Sequence, residues 1–211
     1  MSPPTEAVPA EAHPPKPARA EGALDRLPPR TRGRLLLAGT SLRILLTPVV
    51  MALVVAGSDA PAAILFAAAA ATDWVDGRLA RRWKVASRLG SFLDTTADKL
   101  LVSGALIALL SVDRVSPWIT ALIIGRELVI LGLRGVVAAE GTVMQPSMLG
   151  KSKAALQFVA IALAILRPGD PVGGLYLDEW AMLAAATVTL VSAIDYLRRF
   201  ASAQSVPSGP H

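Results

Sequence analysis

Between residues 35 and 197 the chain passes through six apolar stretches, at 35–56, 62–82, 90–111, 118–139, 150–166 and 180–197. Each is close to the length needed to cross a hydrocarbon core of roughly 30 Å, and short polar or Gly/Pro-rich breaks separate them. Backbone in lipid must satisfy its own hydrogen bonds, so such stretches fold as helices. The expectation is an all-α, polytopic membrane protein with six transmembrane helices. Composition agrees: 53% of residues are hydrophobic, 18% are charged, and the mean hydropathy is +0.51.

Six crossings put both termini on one side. Arg26, Arg30, Arg32 and Arg34, the basic residues from Arg81 to Arg88, Lys151 with Lys153, and Arg198 with Arg199 fall on that side. Asp59, Asp113, Asp170, Asp178 and Glu179 fall on the other, together with Arg114 and Arg167. The positive-inside rule makes the basic side cytoplasmic, in a cell membrane. Residues 1–30, rich in Pro, Ala and Glu, read as a disordered tail without signal or transit character. Residues 31–200 read as the six-helix membrane domain and 201–211 as a second disordered tail. A net charge of +5 without aromatic-basic motifs points to lipid headgroups rather than nucleic acid. Trp74, Trp83, Trp118 and Trp180 suit interfacial positions. Cysteine is absent, and His13 and His211 lie in the tails, which excludes thiol or imidazole chemistry.

One polar segment interrupts this pattern, TDWVDGRLARRWKVASRLGSFLDTTADK from Thr72 to Lys99. Asp73 and Asp76 are three apart, and Asp94 and Asp98 four apart, so each pair shares one helical face. The apolar run from Pro61 to Asp73 rises roughly 18 Å, just over half the hydrocarbon thickness. The second and third stretches are therefore expected to form an antiparallel hairpin with all four carboxylates in its cytoplasmic half. Carboxylates facing lipid are costly, so they should line a polar cavity, paired with cations or bound to metal. Simple pairing with Arg78, Arg81, Arg82, Lys84 and Arg88 is the plainer alternative, but it leaves the helical spacing and the positions of Gly77 and Gly90 without a reason.

The pattern Asp73-x2-Asp76-Gly77-x2-Ala80-Arg81-x8-Gly90-x3-Asp94-x3-Asp98 resembles the signature of the CDP-alcohol phosphotransferases at every position. The resemblance implies that family's six-helix membrane fold, usually a homodimer, with a Mg²⁺ or Mn²⁺ site and displacement of CMP from a CDP-linked lipid by an alcohol. It makes Asp73, Asp76, Asp94 and Asp98 metal ligands and Asp98 also the base for the attacking hydroxyl. Gly77 and Ala80 would leave room for the nucleotide, and Arg81 would hold the diphosphate, which a guanidinium fork suits.

Four further cations lie towards the cytoplasmic ends of the later stretches: Arg126, Arg134, Lys151 and Lys153. They form either an Arg126–Glu127 pair with lysines snorkelling to headgroups, or an anion pocket for a phosphorylated acceptor. Gly125-Arg126-Glu127-Leu128, Leu133-Arg134, Gly150-Lys151-Ser152-Lys153, Gln157, and Thr40-x2-Arg43 with Pro48 are similar to the branch that uses sn-glycerol 3-phosphate. Leu37 and Ala154 depart from that branch, which often has Asn and Thr there. The resemblance implies phosphatidylglycerophosphate and CMP as products from CDP-diacylglycerol, with Thr40 and Arg43 on the CDP-lipid side. By itself, Arg43 either lines the cavity or snorkels. Inositol phosphate or phosphatidylglycerol as acceptor remains an alternative. A membrane cation transporter is the competing class, though the broken helices and repeated halves typical of transporters are missing from the sequence.

Overall fold

A computed structural model of the chain describes residues 28–83, 88–139 and 148–204; within them, the side chains of 73–77, 79–83, 88–89, 91 and 148–152, among others near segment ends, lie outside the description. The described residues form six helices: α1 (Pro29–Val55), α2 (Asp59–Trp83), α3 (Arg88–Ser111), α4 (Pro117–Ala139), α5 (Met148–Leu166) and α6 (Leu177–Gln204). Among them no strand occurs, only a single bridge between Val172 and Leu175.

Local chemistry sets the helix ends. Pro29 occupies the first turn of α1, where its missing N–H costs nothing, and the helix continues through the arginine-rich collar and past Pro48. Arg30, Arg32 and Arg34 thus belong to the start of α1. Gly57, at φ +69°, makes the turn into α2, whose first turn tolerates Pro61. Before α6, Glu179 Oε2 accepts from the Tyr176 N–H at 2.8 Å while Tyr176 O accepts from the Glu179 N–H at 3.1 Å. This reciprocal cap starts the helix at Leu177, three residues ahead of the apolar run.

Both α2 and α3 pack against α1, α5 packs against α6 and α2, and α4 leans on α6. Among the described residues, α2 and α3 touch each other little. Each buries its apolar face elsewhere, with Val50 and Val54 of α1, Ala62 and Phe66 of α2 and Leu101 and Ala105 of α3 in one core. Small residues allow close approach. A Cβ on Gly104 would meet Thr47 Cγ2 at 2.7 Å and Met51 Sδ at 3.0 Å, so α3 rests directly on α1 there. Gly104→Val should destabilise the protein by roughly 1–3 kcal/mol, read as a lower melting temperature in detergent. An unchanged melting temperature would show that α1 and α3 are not held this closely.

Charge clamps the other end. Arg114, in the turn between α3 and α4, donates to both Asp59 oxygens at 2.9 Å and to Ile165 O at 2.6 Å, tying α2 and α5 to that turn.

Large apolar side chains such as Leu45, Ile64 and Trp118 are well exposed, while Thr40, Arg43, Thr47, Glu127, Lys153, Gln157, Thr189 and Ser192 are buried beside the apolar core. An exposed apolar surface of this kind suits a membrane protein. Among the described residues two helices, α1 over Leu37–Val55 and α6 over Leu177–Ser202, are long and apolar enough to cross a membrane by themselves. Asp59–Thr72 and Lys153–Leu166 give shorter apolar runs. Among the described residues, length and composition thus single out two spans where the sequence pattern led us to expect six.

Candidate active site

Asp94 and Asp98 lie one turn apart on α3 and both are partly open to solvent. Facing them from α1, three residues apart and hence on one face, are Thr40 and Arg43. Asp94 Oδ1 accepts from Arg43 Nη1 at 3.3 Å and from Thr40 Oγ1 at 3.5 Å. The Arg43 side chain is wholly buried, so it lines the interior and does not snorkel. Its guanidinium is tolerated there because a carboxylate meets it.

Asp98 opens a second line of contacts. Lys99 Nζ donates to Asp98 Oδ2 at 3.0 Å and forms an ion pair with Glu127 Oε2 of α4 at 2.7 Å. Glu127 is buried, and its Oε1 accepts from Lys153 of α5 and from Arg126 Nη1 at 3.3 Å. Arg126 Nη2 donates to Ser192 Oγ of α6 at 2.9 Å, and just beyond, Gln157 Nε2 donates to Thr189 Oγ1 at 2.9 Å. One connected polar network thus joins α3, α4, α5 and α6. Arg134 is exposed on α4, about 12 Å along the axis from Arg126, and makes no hydrogen bond or ion pair among the described residues.

Asp73, Asp76, Gly77, Ala80 and Arg81 belong to the C-terminal half of α2, but their side chains, like that of Lys151, lie outside the described residues. Among the described residues no group of three acidic or histidine side chains converges. The described half of the quartet, Asp94 and Asp98, still has the chemistry for a divalent metal. Both offer only hard oxygen donors, one turn apart and partly solvent-accessible, which fits Mg²⁺ or Mn²⁺ and not a thiophilic ion.

Sequence reasoning missed Lys99 as a bridge and Glu127 as a hub. The signal was present: Glu127 sits inside the run from Ile123 to Val129, where a carboxylate needs several cationic partners. The partners come from other helices, so sequence proximity offered only Arg126.

An all-helical protein with apolar side chains outside, and carboxylates and cations gathered inside, has the build of an enzyme acting on a charged lipid headgroup. Residues 38–191 match the family model described as CDP-alcohol phosphatidyltransferase, and the chain belongs to that family. It is 42% identical over 139 residues to the CDP-diacylglycerol–glycerol-3-phosphate 3-phosphatidyltransferase of Bacillus subtilis (strain 168), covering 65% of this chain and 72% of that one. It is 40% identical over 166 residues to the protein of the same name from Escherichia coli (strain K12), covering 75% and 90%. A third of that name, from Sodalis glossinidius (strain morsitans), is 41% identical over 140 residues, covering 64% and 75%.

Proposed function

We propose that this enzyme transfers the phosphatidyl group of CDP-diacylglycerol to sn-glycerol 3-phosphate, giving phosphatidylglycerophosphate and CMP. The observation that carries this reading is the juxtaposition of Asp94 and Asp98 with the partly buried Arg126 and the buried Lys153, linked through Lys99 and Glu127. The shared name of the relatives points to the same donor and acceptor.

Asp98 takes the proton from the acceptor hydroxyl as that oxygen attacks the lipid phosphorus. The phosphorus–oxygen bond of the pyrophosphate to CMP breaks, and CMP leaves with the bridging oxygen. Mg²⁺ or Mn²⁺ held by Asp73, Asp76, Asp94 and Asp98 would neutralise the pyrophosphate and the developing charge on CMP. Gly77 and Ala80 give the nucleotide space and Arg81 takes the diphosphate; Thr40 and Arg43 brace the donor side through Asp94. Arg126, Arg134, Lys151 and Lys153 attract the acceptor phosphate. All six helices cross a cell membrane, the termini and the site face the cytoplasm, and the chain pairs as a homodimer. The basic residues around the motif support that orientation.

The test offers purified chain, with CDP-diacylglycerol and Mg²⁺, a panel of glycerol 3-phosphate, inositol phosphate, phosphatidylglycerol and glycerol. Phosphatidylglycerophosphate, identified by mass, should form with CMP in equal amounts. CMP release with inositol phosphate or phosphatidylglycerol but not with glycerol 3-phosphate would transfer the assignment to that acceptor. No release with any acceptor would reject the enzyme reading.

A further inference from the structure

The buried carboxylate of Glu127 lies among groups that, on the reading above, bind an anion. Placed as a bystander, it would oppose a phosphate and weaken the site. Its contacts suggest another part. Lys99 comes from α3, Arg126 from α4 itself and Lys153 from α5, and all three reach Glu127. Without an anion between them, cations drawn from three helices repel one another and separate. The Glu127 and Lys153 side chains are almost wholly buried, whereas that of Lys99 keeps a quarter of its surface open. Lys99 is thus the most open cation of the cluster, ahead of the partly open Arg126, and it also touches Asp98. An ammonium has three donors; Lys99 hydrogen-bonds Asp98 and pairs by charge with Glu127, which leaves donor capacity for a phosphate.

We propose that Glu127 is a positioning residue that gathers Lys99, Arg126 and Lys153 into one phosphate-binding cluster, and that Lys99 is a further ligand of the acceptor's phosphate, fixed beside the base. This rests on the phosphatidyltransferase reading and adds two residues to its acceptor site. It accounts for a buried acid in an anion pocket: the carboxylate holds the cations close together while the phosphate is absent, and they share their remaining donors with the phosphate when it arrives.

The experiment measures KM for glycerol 3-phosphate and for CDP-diacylglycerol in wild type, Glu127→Gln, Glu127→Asp and Lys99→Met, with the ratio of kcat/KM for glycerol 3-phosphate over glycerol. If wild type releases no CMP, the underlying function fails and this proposal falls with it. If wild type is active, Glu127→Gln should raise the KM for glycerol 3-phosphate by about tenfold or more, the scale of one charge-assisted contact, with the lipid KM changing less than about twofold. Glu127→Asp should recover part of the loss, and the preference for the phosphorylated acceptor should shrink. A lower KM for glycerol 3-phosphate in Glu127→Gln would mean that Glu127 merely opposes the phosphate. Equal rises in both KM values would mean a general structural role. Either result overturns the proposal. Should Glu127→Gln fail to fold, Lys99→Met decides, since its partly open side chain leaves Glu127 paired with Lys153 and Arg126. It should show the same selective rise, and an unchanged KM for glycerol 3-phosphate would reject the assignment.

Discussion

Asp98→Asn should bind CDP-diacylglycerol as wild type does and lose about 10²–10⁴-fold in turnover, the contribution of a positioned general base. Lys99 occupies Asp98 Oδ2, and among the described residues the other oxygen takes no hydrogen bond, so it is open to the acceptor hydroxyl. Asparagine keeps the size and one oxygen of the side chain but cannot accept the proton at neutral pH. The change removes no apolar packing and lies on a partly open face of α3, so the melting temperature should hardly move. CMP release and equilibrium binding of the CDP-lipid, measured on the same preparation, separate the two effects. Turnover near the wild-type rate would remove Asp98 from the proton transfer.

The second large effect is expected at Arg43. Its guanidinium is buried between α1 and α3 and donates to Asp94, a proposed metal ligand. Groups that orient a metal ligand typically contribute 10–100-fold to metal affinity or activity. Arg43→Met keeps a long side chain in the interior and removes the charge, and Asp94, whose side chain is 38% exposed, is left to solvent rather than as a buried unpaired charge. The variant should therefore melt close to wild type, need roughly 10–100-fold more Mg²⁺ for half-maximal CMP release, and recover in part as Mg²⁺ is raised. An unchanged metal requirement would mean that the Arg43–Asp94 contact does not serve the metal. A large fall in melting temperature would make it a structural pair instead.

Much of this protein is written locally. The six helices follow from apolar runs cut by Gly57, by Ser116-Pro117 and by the Pro168–Gly174 loop, because each break is chemistry of adjacent residues. The spacing of Asp94 and Asp98 fixes their shared face for the same reason. Tertiary partners are less legible. Nothing in the sequence near Gly104 says that Thr47 will sit against it, and Arg43 could have gone to either solvent or interior until α3 brought Asp94 to it. Lys99 is one residue from Asp98 in sequence, yet its second contact is with α4. The hairpin of α2 and α3 is expected from the apolar runs that flank the aspartates, but not that α1 takes most of the packing of both. Connection length predicts direction; the placement of small residues decides which helices come close.

The central claim is that the aspartates gather divalent ions around the pyrophosphate of a CDP-linked lipid. Its most direct test is CMP release from CDP-diacylglycerol and glycerol 3-phosphate after chelation and stepwise return of Mn²⁺, in wild type, Asp73→Asn and Asp94→Asn. Release should vanish with the chelator, return with Mn²⁺ in wild type, and return in either variant only at far higher Mn²⁺ or not at all. Undiminished release from the metal-stripped protein, or the same Mn²⁺ dependence in all three, would contradict it.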